Sequence, residues 1–280
     1  MAKYGIPYQG SKSGIADSII TFLPKGKRFC DLFGGGFAIT ECAMKSRKWE
    51  SFLYNEINPL LVELIQKAIS GEYSYDVFKP EWISREDFKR LKEKDGYVKW
   101  IWSFSNGCKN YLFSEQLEPL KRSIHNFVVF GIKDDFINRQ FGDIDKYVVG
   151  SDIYKRRMLL RRYMQMKAKS RKHKDIQQLE QLEIKCGSYT DYEYRDGDIV
   201  YCDPPYEGTA KYSGGFDHKE FYEWVASRPY QVWFSSYQNI SDKRFKMVWA
   251  KGKVNLMAGA ANQKKNYECI YTNKHDKTVI

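Results

Sequence analysis

The feature that most restricts what this chain can fold into is a pair of short apolar runs, each leading into a stiff or glycine-rich turn that carries an acidic residue. The first is Phe29-Cys30-Asp31-Leu32-Phe33, followed by Gly34-Gly35-Gly36; Phe37 to Lys45 then has apolar residues at helical spacing. The second, Asp198-Ile199-Val200-Tyr201-Cys202, runs directly into Asp203-Pro204-Pro205-Tyr206. Runs this short and apolar read as buried strands, as in a parallel sheet covered by helices. The flanking segments keep that rhythm. Ser51 to Glu56 is a further strand, and Asn58-Pro59 caps and opens a helix to about Ile69, which Gly71 stops. Asp217 caps a helix through Val225, Tyr230 to Ser235 is a strand, and Phe245–Trp249 with Tyr267–Thr272 can close the sheet as a hairpin.

The middle of the chain lacks this alternation. From about Glu81 to Lys185 it is rich in charge and aromatic residues. A Ser84/Asp87 start predicts one helix there, and Asp152 to Lys169 predicts a strongly basic one. The organisation expected is a single α/β domain, residues 1–80 and 185–280, split by a mainly helical insertion at 81–184.

The charge distribution points to a polyanionic partner. The net charge is +11, and Ser151 to Lys174 alone holds ten Lys and Arg against Asp152, a local +9. A solvated helix face is the bland alternative. No apolar run approaches the ~18 residues of a membrane span, and Met1 to Pro7 has no signal core. The six cysteines form no C-x-x-C pair and the four histidines are scattered, so packed thiols of a cytoplasmic protein are expected, without a metal.

The turns carry the chemistry. Glycines let the backbone approach a ligand closely, and strand, acid, glycines and helix in that order suggest a nucleotide or nucleoside site. The run is neither G-x-G-x-x-G nor a phosphate loop. Glu56 ends the next strand, about twenty residues on, where an acid suits ribose hydroxyls. On this reading Gly34→Val abolishes binding by filling the ligand's space. In the second turn the prolines fix the backbone and donate no N–H. Asp203 and the Pro204 carbonyl offer two acceptors and Tyr206 a flat face, a slot for a planar ring with an exocyclic amino group. The Tyr206 ring, rather than its hydroxyl, is expected to matter.

Asp203-Pro204-Pro205-Tyr206 resembles the D-P-P-Y motif of amino-methylating DNA methyltransferases, and Asp31 to Gly36 their D-x-F-x-G-x-G motif. Tyr8-Gln9-Gly10-Ser11-Lys12 resembles their N-terminal W-x-G-G-K, with Tyr8 where tryptophan is usual. Lys264-Lys265-Asn266-Tyr267-Glu268 resembles R-K-K-x-x-E. The motif order is that of the Dam-like (D12 class, alpha group) DNA N6-adenine methyltransferase family. The resemblance implies a Rossmann-like, S-adenosylmethionine-dependent methyltransferase sheet with an inserted target-recognition domain. It implies methyl transfer to adenine N6 in a specific duplex DNA sequence, with base flipping, by a protein that is a monomer or weak dimer.

It places Tyr8, Lys12, Asp31, Phe33, Gly34, Gly36, Glu56 and Asp203 around S-adenosylmethionine, and makes Asp203, Pro204, Pro205 and Tyr206 catalytic. The basic residues Arg156, Arg157, Arg161 and Arg162 would meet phosphates, with Lys264 and Lys265 also toward DNA. Asn106, Lys109 and Asn110 are candidates for base edges, against a loop tied by its own hydrogen bonds. Two alternatives stand beside this reading: N4-cytosine methylation by the same site, and a DNA-binding relative that has lost catalysis.

Overall fold

A computed structural model describes residues 3–73, 78–142, 152–163, 179–207, 215–238, 240–253 and 266–274. The chain forms two compact units, one of residues 1–6, 11–62 and 176–280, the other of 7–10 and 63–175.

The first unit is built on a seven-stranded sheet. Its strands are β1 (Arg28–Asp31), β2 (Ser51–Glu56), β3 (Leu182–Cys186), β4 (Asp198–Cys202), β5 (Val232–Tyr237), β6 (Lys246–Lys253) and β7 (Asn266–Thr272), in the spatial order β3-β2-β1-β4-β5-β7-β6. The first five pair in parallel; β7 runs antiparallel between β5 and β6. Every residue of β1 and β4 is buried, as expected for central parallel strands. Their register is pinned by Arg28, whose Nε and Nη2 donate to both carboxylate oxygens of Asp198 at 3.0 and 2.7 Å. That bidentate pair aligns Asp31 with Tyr201 and brings the two turns to the same end of the sheet.

Helices α1 (Ala16–Phe22) and α2 (Ala38–Ser46) belong to this unit. The third, α3 (Pro59–Ile69), starts on the Asn58 side chain, which accepts from the Leu60 amide at 3.1 Å. The core between β4, β5 and the later helix His218–Ser227 is aromatic, with Phe221, Tyr222, Trp224, Phe234 and Tyr271. Asp217 caps that helix, accepting from the Glu220 amide at 2.9 Å. Two elements differ from the sequence reading. Leu182–Cys186 lies in the sheet, parallel to β2, although the expected boundary at 184/185 would cut it. Ala16–Phe22 is a helix that the sequence does not announce.

The second unit holds the helices α4 (Arg85–Leu91), α5 (Glu118–Phe130), α6 (Asp135–Phe141) and α7 (Ile153–Tyr163), with an antiparallel bridge between Ser103 and Tyr111. The remaining helix of the first unit, His218–Ser227, is α8. Ser84 caps α4 as the Ser84/Asp87 pattern requires. A small aromatic core holds Phe88, Val98, Trp102 and Tyr111, with Trp82 stacked on Phe113 at 5.5 Å.

Candidate active site

In the order β3-β2-β1-β4-β5, the chain runs outward from β1 to one side and then returns to lay β4 on the other. The gap between β1 and β4 is therefore the topological switch point, where open parallel sheets bind ligands beyond their carboxyl ends. Asp31 ends β1, and Asp203 follows the last residue of β4.

The glycine turn after β1 is held from several sides. The Gly34 amide donates to the Asn55 carbonyl at 2.8 Å and the Tyr54 hydroxyl to the Gly35 carbonyl at 2.8 Å. Gly35 has a φ of 47°, and Phe37 takes a φ of 69° at the entry to α2. The Gly36 carbonyl accepts from the Ile6 amide at 2.9 Å. Glu56 accepts from the Gly35 amide and, through its other oxygen, from the Asn58 amide, both at 3.0 Å. Burial pushes its pKa upward, and those amides pull it back. Phe33 stacks on Tyr189 at 5.2 Å and meets Phe221 edge-on. Tyr189, just past β3, is a neighbour of the turn that the sequence did not suggest.

Asp31 is 1% exposed. Thr40 donates to its Oδ2 at 2.8 Å, while its Oδ1 has no hydrogen-bond partner among the described residues. Burial, with Asp203 and Glu56 adding to it and Thr40 and the Phe33 amide opposing, pushes the Asp31 carboxyl up to about 7. An unmatched buried acceptor suits a ligand with N–H donors or positive charge. The raised pKa has a thermodynamic sign. The folded protein holds the Asp31 proton more tightly than the unfolded chain, so this group's contribution to stability falls as pH rises from 3.8 to about 7. Asp31→Asn keeps the shape and cannot ionise. Urea unfolding without ligand should show the variant gaining on the wild type over that interval, by a few kcal/mol at neutral pH. Parallel curves across the interval would show that Asp31 titrates normally.

The second turn forms a buried ionic cluster. Lys12 Nζ lies 3.0 Å from Asp203 Oδ2 and 3.3 Å from Glu268 Oε1, and 4.7 Å over the Tyr206 ring. The side chains of Lys12, Asp203 and Glu268 are 7%, 18% and 1% exposed, so Asp203 is the most accessible of the three. Tyr206 donates from its hydroxyl toward Glu268 Oε1, and Asp203 Oδ1 lies 3.1 Å from that hydroxyl. Burial would lower the Lys12 pKa, but the two carboxylates more than reverse this and hold it above an ordinary lysine. Burial raises Asp203, with Lys12 opposing and Glu268 adding to the rise. The Pro205 carbonyl accepts from His218 Nε2 at 2.8 Å, while the Pro204 carbonyl has no hydrogen-bond partner among the described residues.

The structure thus brings Asp31, Phe33, Gly34, Gly36 and Glu56 together at the first turn, and Lys12, Asp203, Pro204, Pro205 and Tyr206 at the second. The Tyr206 hydroxyl is tied into the ionic cluster, through Glu268 and Asp203. Glu268, the acid of the C-terminal motif, joins the site, a place its local sequence does not signal. Lys264 and Lys265 lie outside the described residues. Tyr8 is counted with the second unit, its ring 6.4 Å from that of Trp100.

The remaining candidates are in the second unit. Ser105, Asn106 and Cys108 all have φ between 54° and 61°, so this loop is locally strained. The Asn106 side chain donates to the Trp100 carbonyl at 2.9 Å, whereas Lys109 and Asn110 are exposed. Arg156 has a structural place in which little of it is left for phosphate. It is 9% exposed, and its Nε and Nη2 donate to the Val128 and Val129 carbonyls at the end of α5, each at 2.8 Å. Arg156→Gln should cost about 1.5–3 kcal/mol, the worth of charged hydrogen bonds, read from urea unfolding. An unchanged midpoint would return Arg156 to the DNA-binding candidates. Arg157 is on the same helix; the side chains of Arg161 and Arg162 lie outside the described residues.

The family model of D12 class N6 adenine-specific DNA methyltransferases matches residues 8–226. The chain belongs to that family. No curated protein matches it. Among solved structures, a Haemophilus influenzae protein assigned as a methylase is 10% identical, over 96% of this chain and 92% of that one, with a TM-score of 0.34. At that distance it adds nothing to the assignment.

Proposed function

We propose that this protein transfers a methyl group from S-adenosylmethionine to N6 of an adenine in a specific duplex DNA sequence, after the base has left the helix. The observation that carries the reading is that the two turns flank the switch point of the sheet on neighbouring strands, with Asp31 and Asp203 at corresponding ends. S-adenosylmethionine, when bound, supplies a methyl group already activated on a sulfonium.

The residues of the first turn fit that group. The unmatched Oδ1 of Asp31 suits a cationic or N–H-bearing ligand, and Glu56 and the Gly35–Gly36 backbone suit its polar edge. The residues of the second turn would act on the base. Its amino lone pair is delocalised into the ring and is a poor nucleophile. Acceptance of its two N–H bonds by Asp203 and the Pro204 carbonyl turns the lone pair toward the methyl and stabilises positive charge developing on nitrogen. Tyr206 gives the extruded base a stacking surface, worth about 1–3 kcal/mol, and extrusion is what the chemistry demands of a base buried in a duplex. The basic stretch of the second unit, Arg156 apart, suits phosphates by its charge.

The experiment is transfer of a labelled methyl from S-adenosylmethionine to duplex DNA, followed by nucleoside analysis. N6-methyladenine supports the reading, N4-methylcytosine moves the target to cytosine, and no transfer with intact DNA binding points to a relative without catalysis.

A further inference from the structure

We infer that Glu268 is a positioning residue for methyl transfer: it accepts the hydrogen bond of the Tyr206 hydroxyl and shares the charge of Lys12, which reserves Oδ1 of Asp203 for the target amine. This rests on the function proposed above.

The sheet puts Glu268 there. Because β7 runs antiparallel beside β5, Glu268 sits opposite Tyr237, whose ring meets that of Tyr206 edge-on at 4.7 Å. A carboxylate 1% exposed is costly unless it is paired. Among its partners are the two groups that also touch Asp203, Lys12 and Tyr206. A phenol has one proton. The Tyr206 hydroxyl has Asp203 Oδ1 at 3.1 Å and Glu268 Oε1 closer still, so the proton points to Glu268. Lys12 meanwhile engages Oδ2 of Asp203 at 3.0 Å and stands 3.3 Å from Glu268. In this arrangement Oδ1 of Asp203 is the oxygen left to accept an N–H bond.

Loss of the Glu268 charge acts on Asp203 twice. The Tyr206 proton turns to Oδ1 and competes with the amine, and the whole charge of Lys12 falls on Asp203. The titratable groups facing Asp203 are Lys12, Glu268, Tyr206, Tyr201, Asp31 and Cys202. Removing one negative neighbour from that set makes Asp203 easier to ionise, so its protonation midpoint moves to lower pH.

The test uses Glu268→Gln in the full chain. The expected result is a fall in kcat of up to about 10²-fold, as for a reacting group held wrongly. The acid limb of the kcat profile, and the Asp203 midpoint followed by carboxyl carbon NMR without ligand, should both move to lower pH. Adding Tyr206→Phe to Glu268→Gln should recover part of the lost kcat, because no hydroxyl then competes for Oδ1. A merely structural Glu268 gives the opposite, a further loss of kcat in the double variant, and that result overturns the inference. Should the glutamine variant not fold, Glu268→Asp keeps the charge but draws the carboxylate back from Tyr206 and Lys12, and it is read from the fall in kcat and its partial recovery on adding Tyr206→Phe. The NMR midpoint reads the Asp203–Glu268 coupling independently of methyl transfer, so an inactive wild type would count against the proposed function, while an unmoved midpoint would count against Glu268.

Discussion

Asp203→Asn is expected to fold and to lose methyl transfer by on the order of 10²–10³-fold, the scale for removing one preorganised group from a developing charge. The argument separates stability from chemistry. Asparagine fills the same volume, and Lys12 keeps Glu268 as a counter-ion 3.3 Å away, so no buried cation is stranded. What is lost is the negative charge at the most accessible of the three clustered side chains. An amide oxygen can still accept a hydrogen bond, but it does little for a nitrogen becoming cationic, and the adjacent –NH2 is a donor facing another donor. The first turn is untouched, so affinity for S-adenosylmethionine measured by calorimetry should change far less than kcat. A labelled-methyl assay reads the difference. Transfer at the wild-type rate would mean the base is activated elsewhere.

The parts of this molecule that could be read from the sequence are those whose signals are local. Phe29-Cys30 in β1 and Ile199 to Cys202 in β4 are apolar because both strands are buried on both faces, and the turns that follow them use residues with few other uses. The caps at Asn58, Ser84 and Asp217 stand where their side chains bond. What a local signal does not carry depends on pairing across the chain. Leu182-Glu183-Ile184-Lys185 alternates like a half-exposed edge strand, and following Gln177 to Glu183 it passes for a charged, repetitive segment. The Ala16–Phe22 helix has no side-chain cap to announce it. The hairpin of β6 and β7 was visible, but not that β7 would be the one to join β5. That choice alone brings Glu268 to Tyr206 across 62 residues of sequence. Lys12 was legible as a motif residue, yet its partner Asp203 lies far along the chain, and only the fold shows that the lysine serves the second turn.

Gly34→Val should be the most damaging single change in the first turn, and for a reason other than ligand space. A Cβ at Gly34 would lie 2.1 Å from Cε2 and 2.3 Å from Cδ2 of Tyr54. That ring cannot step aside easily. Tyr54 is fully buried in β2, packs edge-on against Phe37 and holds the Gly35 carbonyl with its hydroxyl. The clash must therefore open the turn, breaking the Gly34–Asn55 and Gly35–Glu56 bonds that close it. Overpacking of a close-packed core costs about 1–3 kcal/mol and sometimes more; at this distance, against backbone-anchored aromatic carbon, the upper end is expected. S-adenosylmethionine affinity would fall with stability, as a consequence of the lost turn. A double-mutant cycle separates the causes. If the ring is the obstacle, Gly34→Val combined with Tyr54→Leu should be less destabilised than the sum of the two single changes. If the valine only fills ligand space, Gly34→Val alone should unfold at the wild-type urea midpoint while losing the cofactor, and the packing argument would be wrong.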